Sequence, residues 1–129
     1  METSYGVWWL CLQRENIARE YSVVRNAVGI IDVSTLGKIE LLGPDARNLL
    51  EYAYTCKFDK LKVGMTRYIF MVDAGGTLVD DGVAAKLGED HFYITATSSH
   101  SQTVLRLLEL FKMQLQLDVT IWDHTGQVG

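Results

Sequence analysis

Residues 75–83, Gly-Gly-Thr-Leu-Val-Asp-Asp-Gly-Val, constrain the fold of this chain more than any other stretch. The pair Gly75 and Gly76 predicts a tight turn, and the residues that follow predict a β-strand. Strands disfavour aspartate, because its carboxylate competes for backbone hydrogen bonds and is costly to remove from water. Two adjacent aspartates in a strand therefore need a reason, and we expect either Asp80 or Asp81 to serve a ligand site.

Side chains alternate between the two faces of a strand, so Asp80 and Asp81 should lie on opposite faces. Asp81 shares its face with the apolar residues Val79 and Val83, whereas Asp80 has smaller and more polar neighbours. We therefore expect Asp81 to lie among apolar side chains and Asp80 to face solvent. A partly desolvated carboxylate is a candidate base or ligand anchor. The alternative from pattern alone is that both aspartates cap a turn or balance a lysine or arginine.

The rest of the pattern predicts an α+β domain. The expected strands are 38–42, 67–72, 77–87, 92–97 and 118–123, with helices from Pro44 to Tyr54 and from a Ser98 or Ser99 cap to Lys112. This order, β-α-β-β-β-α-β, is typical of a ferredoxin-like antiparallel sheet with helices on one face and one additional hairpin strand.

A helix over residues 16–28 should precede this region, with Asn16 as its cap. We therefore expect two regions, an N-terminal arm and helix over 1–36 and the ferredoxin-like region over 37–129.

Composition narrows the classes of function. The net charge of −4 argues against nucleic-acid binding, which usually leaves a basic footprint. The apolar run 7–12 is too short to span a bilayer and lacks the basic flank of a signal peptide, so we expect a cytoplasmic protein. Cys11 and Cys56 are expected to be reduced, and the histidines show no metal-ligand spacing. The dinucleotide fingerprint and the Walker motif are both missing, so no flavin or NAD site is expected within the chain.

Four stretches of the sequence carry a resemblance to a known family. They are 23–46, which contains Ser34-Thr35-Leu36, then 63–71, then 76–83, and finally 90–97. In order and spacing they resemble the folate-binding aminomethyltransferase family, which includes the T-protein of the glycine cleavage system and the dimethylglycine-oxidising enzymes. The residues at 34–36 and 80–83 look like the branch formed by the C-terminal half of the sarcosine oxidase alpha subunit. T-proteins usually carry Ser-His-Met at the equivalent of 34–36.

The resemblance implies roles for four residues. In the family, the second aspartate of the pair lies beside the reactive nitrogens of tetrahydrofolate, which makes Asp81 the catalytic residue here. Tyr68 and Val83 match residues that contact the folate, and Leu36 replaces a methionine near the pterin pocket. The implied reaction captures an iminium or aminomethyl one-carbon unit as 5,10-methylenetetrahydrofolate. Asp81 would act in it as a general base or an electrostatic stabiliser.

Length is the departure from the family. A full family domain is much longer, so the residues that hold the other parts of folate, and the flavin and NAD modules of the oxidase, have no counterpart here. The resemblance thus implies an N-terminal fragment, weakly active or inactive alone, whose partners are folate and the remaining parts of the enzyme or other subunits. Two alternatives stay open: a non-catalytic ligand-binding or assembly module on the same fold, dimeric through its apolar arm, and a fragment of a T-protein.

Overall fold

The computed structural model describes residues 14–30 and 34–127, which fall into two compact units divided between Thr35 and Leu36. The expected N-terminal arm lies outside the described residues. The first unit contains helix α1, Arg14–Asn26. The predicted helix is therefore present, but it begins at Arg14, so Asn16 lies within the helix and is not its cap.

Over residues 36–127, the second unit forms strands and helices in the predicted order. Its strands are β1 (Gly37–Leu42), β2 (Thr66–Val72), β3 (Leu78–Gly88), β4 (His91–Ala96) and β5 (Thr120–Asp123). Helix α2 (Ala46–Ala53) connects β1 to β2, and helix α3 (Ser101–Leu115) connects β4 to β5. None of the helices in the described part of the chain is long and apolar enough to cross a membrane.

The strands form one antiparallel sheet in the order β2-β3-β4-β1-β5. Strands β2, β3 and β4 are joined by hairpins, whereas α2 and α3 carry the chain across the sheet. Without β2, the order β3-β4-β1-β5 is that of a ferredoxin-like sheet, so β2 is the additional hairpin strand. The predicted fold class is confirmed.

The core lies between one face of the sheet and the two helices α2 and α3. Side chains on this face alternate with those on the other, as the strand period requires. The fully buried members of the core include Ile39, Leu41, Leu49, Leu50, Ile69, Phe92, Ile94, Val104 and Leu108. The loop between α2 and β2 adds Phe58 to this core. The Phe58 ring is fully buried and meets the Phe92 ring edge-on at 5.8 Å.

Two helix boundaries differ from the prediction. Helix α2 begins at Ala46, after Pro44, because the preceding residues form a turn in which the Ala46 N–H donates to the Gly43 carbonyl at 3.0 Å. Helix α3 begins at Ser101 and not directly after Ser98 or Ser99. The residues before it form a turn in which the Thr97 carbonyl accepts hydrogen bonds from the backbone N–H groups of positions 100 and 101.

Candidate functional site

The sheet face that neither α2 nor α3 covers is called here the open face; on β2 and β3 it carries Tyr68, Phe70, Asp81 and Val83. Tyr68 pairs with Val83 across the β2–β3 ladder, and Phe70 pairs with Asp81. The Tyr68 hydroxyl donates a hydrogen bond to the Asp81 carboxylate. Three of the four predicted site residues, Tyr68, Asp81 and Val83, therefore lie together.

The two aspartates do occupy opposite faces, but the expectation that Asp80 faces solvent was wrong. Asp80 is only 4% exposed and lies on the core side, whereas Asp81 is half-buried on the open face. The small residues Gly82 and Ala84 share the face of Asp80. Small side chains on a strand are compatible with a face that helices cover, so they did not indicate exposure to solvent. Val79 also departs from the expected alternation. A bulge in the β2–β3 ladder lies beside it, and its side chain packs against the core.

The charge of Asp81 acts directly on Tyr68. Its hydrogen bond with the phenol raises the pKa of Tyr68, since removing the phenolic proton would place two negative charges side by side. Tyr68 is nevertheless 54% exposed, so part of the residue remains accessible to a ligand.

Phe70 belongs to the same group, although sequence reasoning gave it no role. Its ring meets the Tyr68 ring at 5.0 Å with an interplanar angle of 69°, and it is 43% exposed. An aromatic pair of this kind offers an apolar surface beside a carboxylate. The alternation of Tyr68 and Phe70 along β2 was the signal that placed them on one face.

Leu36 is not on β2 or β3, the two strands that carry the other three predicted residues. It lies half-buried in the turn before β1, and its carbonyl oxygen accepts a hydrogen bond from Lys38 Nζ at 3.1 Å. In the sheet, strand β4 lies between β1, which follows Leu36, and β3, which carries Asp81.

A second polar cluster on the open face joins β1, β4 and the residue after β5, and sequence reasoning missed it. Glu40 of β1 lies between two imidazoles, with His91 Nε2 at 2.5 Å from one carboxylate oxygen and His124 Nε2 at 2.6 Å from the other. These contacts hold the pKa of Glu40 below its ordinary value. The hydrogen bond with His124 has the larger effect, and that with His91 the smaller. Among residues 14–30 and 34–127, no group of three or more His, Cys, Asp or Glu side chains has the arrangement of a metal site.

The chemistry available at the first group is that of a carboxylate acceptor beside exposed aromatic rings. A carboxylate accepts hydrogen bonds from N–H groups and stabilises nearby positive charge. Aromatic rings and a valine supply the apolar surface that a flat ligand needs. Tyr68, Phe70, Asp81 and Val83 can therefore hold a flat, nitrogen-rich molecule with one N–H directed at Asp81.

Comparison with known proteins identifies the family of the chain. Residues 5–129 match the model of the GCVT N-terminal domain. The chain is 45% identical over 117 residues to the sarcosine oxidase subunit alpha of Corynebacterium sp. (strain U-96), covering 89% of this chain and 12% of that subunit. It is 38% identical over 96 residues to the aminomethyltransferase of Thermoanaerobacter sp. (strain X514), covering 74% of this chain and 26% of that protein.

Among solved structures, the glycine cleavage system aminomethyltransferase T from Bartonella henselae matches with a TM-score of 0.67 and 25% identity. That match covers 71% of this chain and 25% of the Bartonella protein. The chain therefore spans only a minor part of the length of each of these relatives.

Proposed function

The chain belongs to the GCVT N-terminal domain family, and on that premise we propose that it forms part of a tetrahydrofolate-dependent one-carbon enzyme of the sarcosine oxidase alpha subunit type. The proposed reaction captures the one-carbon unit of an oxidised N-methyl amine as 5,10-methylenetetrahydrofolate. The observation that carries the proposal is the hydrogen bond between Tyr68 and Asp81 on the open face, beside exposed ring surface.

The residues of the open face fit a folate. Its pterin is flat and carries N–H groups, which match the exposed rings of Tyr68 and Phe70 and the acceptor carboxylate of Asp81. Within the proposed folate-binding region, 37–129, Val83 supplies an apolar wall next to the carboxylate. We keep Leu36, in the turn before β1, as a proposed residue near the pterin.

Tetrahydrofolate, when bound, supplies the amine nitrogens that take up the one-carbon unit. Asp81 would accept a hydrogen bond from an N–H group there and stabilise positive charge as it develops. Its carboxylate is also positioned to take up a proton. The Tyr68 hydroxyl holds one carboxylate oxygen, which leaves the other free for the ligand. A ligand bound against Val83 and the two rings would displace water from this surface.

We expect weak activity, or none, from the chain by itself. The relatives are about four to eight times as long as the part that they share with this chain, as the covered shares of 26% and 12% indicate. The open face is one wall of a pocket, and the proposal assigns the other wall to the remaining parts of the enzyme or to other subunits.

A second candidate is an aminomethyltransferase of the T-protein type. It is favoured by coverage: the chain matches 26% of the length of the Thermoanaerobacter aminomethyltransferase but 12% of the length of the oxidase subunit. The oxidase type is favoured by the higher identity, 45% against 38%, and by Ser34-Thr35-Leu36. The coding DNA upstream distinguishes the two, because an oxidase subunit requires flavin and NAD modules with a dinucleotide fingerprint.

Calorimetric titration of the chain with tetrahydrofolate tests the shared part of both proposals. We expect saturable binding that Asp81→Asn weakens about tenfold or more, since a hydrogen bond to a charged group contributes roughly 1.5–3 kcal/mol. Asp59→Asn is the matched control, because Asp59 is exposed in the loop between α2 and β2, and it should bind as the wild type does. Absence of binding at millimolar folate, together with a stable homodimer, would instead support the assembly module.

A further inference from the structure

Asp80 is a buried carboxylate with a complete set of partners from one short segment. The Thr97 backbone N–H donates to Asp80 Oδ2 at 3.2 Å, and the Thr97 hydroxyl donates to Oδ1. His100 Nδ1 lies 4.0 Å from the same Oδ1. Burial, and to a smaller extent the charge of Asp80, raises the pKa of the buried Tyr54 phenol. A carboxyl group buried at this depth needs such partners to offset the loss of its hydrogen bonds to water.

These contacts occur where regular pairing between β3 and β4 stops. The last ladder pair toward the Asp81 end of β3 is Ala84 with Ile94. Beyond it, side chains connect the strands: the Val83 N–H donates to the Thr95 hydroxyl at 3.0 Å, and Thr97 binds the Asp80 carboxylate. Two threonines of one segment therefore replace the missing backbone hydrogen bonds on either side of Asp81.

The Asp80 anchor and the Asp81 side chain are mechanically linked. Residues 80 and 81 share one peptide plane, and their side chains leave the strand in opposite directions. A rotation of β3 about its own axis would move both side chains together. When the Asp80 carboxylate is fixed on the core side, this rotation is restricted, and Asp81 is held in place on the open face. On the β2 side, Met71 and Phe70 pair with Asp80 and Asp81, so the same short piece of β3 is held from both neighbours.

We propose that Asp80, bound by Thr97, is a positioning residue that holds the Asp81 carboxylate against the Tyr68 hydroxyl. The adjacent aspartates then have separate tasks: one fixes the backbone from the core side, and the other meets the ligand. The inference rests on the proposed function only in treating Asp81 as the ligand-contacting carboxylate. The position of Asp81 relative to Tyr68 can be tested in the chain without ligand.

The test reads the contact between Tyr68 and Asp81 directly. Because the hydrogen bond raises the pKa of Tyr68, that pKa reports whether the carboxylate is in place. Difluorotyrosine incorporated at position 68 allows the phenol to be titrated by fluorine NMR at milder pH. Asp81→Asn defines the pKa without the carboxylate, and the unsubstituted chain defines the pKa with it.

Thr97→Val is the decisive variant, because it removes the hydroxyl while keeping the charges of Asp80 and Asp81 and the backbone N–H. We expect it to lose most of the difference between the two reference pKa values, whereas Thr97→Ser should keep it. A purely structural role would lower the urea midpoint of Thr97→Val but leave the Tyr68 pKa unchanged. That result, in a variant whose circular dichroism matches the wild type, would overturn the proposal.

Thr97→Ala is the second variant if valine prevents folding, since it lacks the hydroxyl and adds no bulk. The tetrahydrofolate titration separates this proposal from the proposed function. A wild-type chain that binds no folate, with a Tyr68 pKa that still depends on the Thr97 hydroxyl, refutes the folate site and supports the positioning role. Folate binding that Asp81→Asn abolishes, with a Tyr68 pKa insensitive to Thr97, supports the folate site and refutes the positioning role.

Discussion

Glu40 Oε2 lies 2.6 Å from His124 Nε2, although 84 positions separate the two residues in the chain. The contact connects β1 with the residue that follows β5, the shortest strand of the sheet. Because His91 holds the other carboxylate oxygen at 2.5 Å, one side chain links β4, β1 and the end of β5 across the open face. A carboxylate with both oxygens bound by imidazoles should contribute to the stability of this edge of the sheet.

Glu40→Gln should therefore destabilise the fold by about 1–2 kcal/mol, since an amide has only one acceptor oxygen and carries no charge. The free energy of unfolding in urea at neutral pH measures the change. Glu109→Gln is the control: Glu109 is a 43% exposed carboxylate whose Lys112 partner lies at 3.8 Å, and its loss should cost less than about 0.5 kcal/mol. Equal effects of the two substitutions would show that the cluster adds nothing beyond a surface charge.

The contribution of Glu40 should disappear at acid pH. Its pKa in the folded chain lies below the ordinary value of 4.5, so the stabilisation is present above that value and is lost as pH falls through the folded pKa. The difference in unfolding free energy between wild type and Glu40→Gln should thus shrink steadily below about pH 4.5. Urea unfolding at a series of pH values measures it, and a difference that stays constant to strongly acid pH would contradict the assigned role.

Gly82→Ala should weaken the junction between β3 and β4. A β-carbon at position 82 would overlap the carbonyl oxygen of Thr95, which is backbone and cannot move aside without breaking the sheet. We expect a loss of roughly 1–3 kcal/mol, together with weaker tetrahydrofolate binding, because the neighbouring carboxylate of Asp81 shifts. Gly64→Ala is a suitable comparison, since its β-carbon would meet nothing within 4 Å and the substitution carries only the strain of a φ of 82°. The urea midpoints of the two variants are compared. A larger decrease for Gly82→Ala than for Gly64→Ala would show that lack of space at position 82 causes the loss of stability.

Cys56 should be slow to react with alkylating reagents. Burial raises the pKa of the Cys56 thiol above the ordinary value of 9.0, so less thiolate is present near neutral pH, and the charge of Arg67 reverses this only in part. In a Cys11→Ser background, mass spectrometry should show iodoacetamide labelling that is slower than for the same chain in urea. Equal rates in the folded and the unfolded chain would refute the prediction.

Much of the fold follows from local pattern. The alternation in β1 and β4, the apolar stripe of α2 and the Gly75–Gly76 turn are consequences of neighbouring residues, and each element formed near its predicted position. The boundaries that moved, at Ala46 and Ser101, depend on turns whose hydrogen bonds a propensity argument does not resolve. The burial of Phe58 was missed because apolar residues scattered in a loop have no helical or strand period.

Part of the candidate site could also be predicted from local pattern. Tyr68, Asp81 and Val83 meet because they lie on paired strands with a fixed alternation, so a resemblance to relatives and a strand register suffice to group them. Glu40, His91 and His124 come from three distant segments, and nothing local in the sequence indicates that they converge.

By itself, the sequence determined the order of the elements, the ferredoxin-like class and the placement of Asp80 and Asp81 on opposite faces of one strand. Only the tertiary structure decided which of those faces the helices cover. Alternation is a property of a single strand, whereas burial depends on where α2 and α3 pack and on the bulge beside Val79. Asp80 is therefore the buried aspartate, stabilised by Thr97 from beyond the end of β4, and Asp81 is the one that the open face presents.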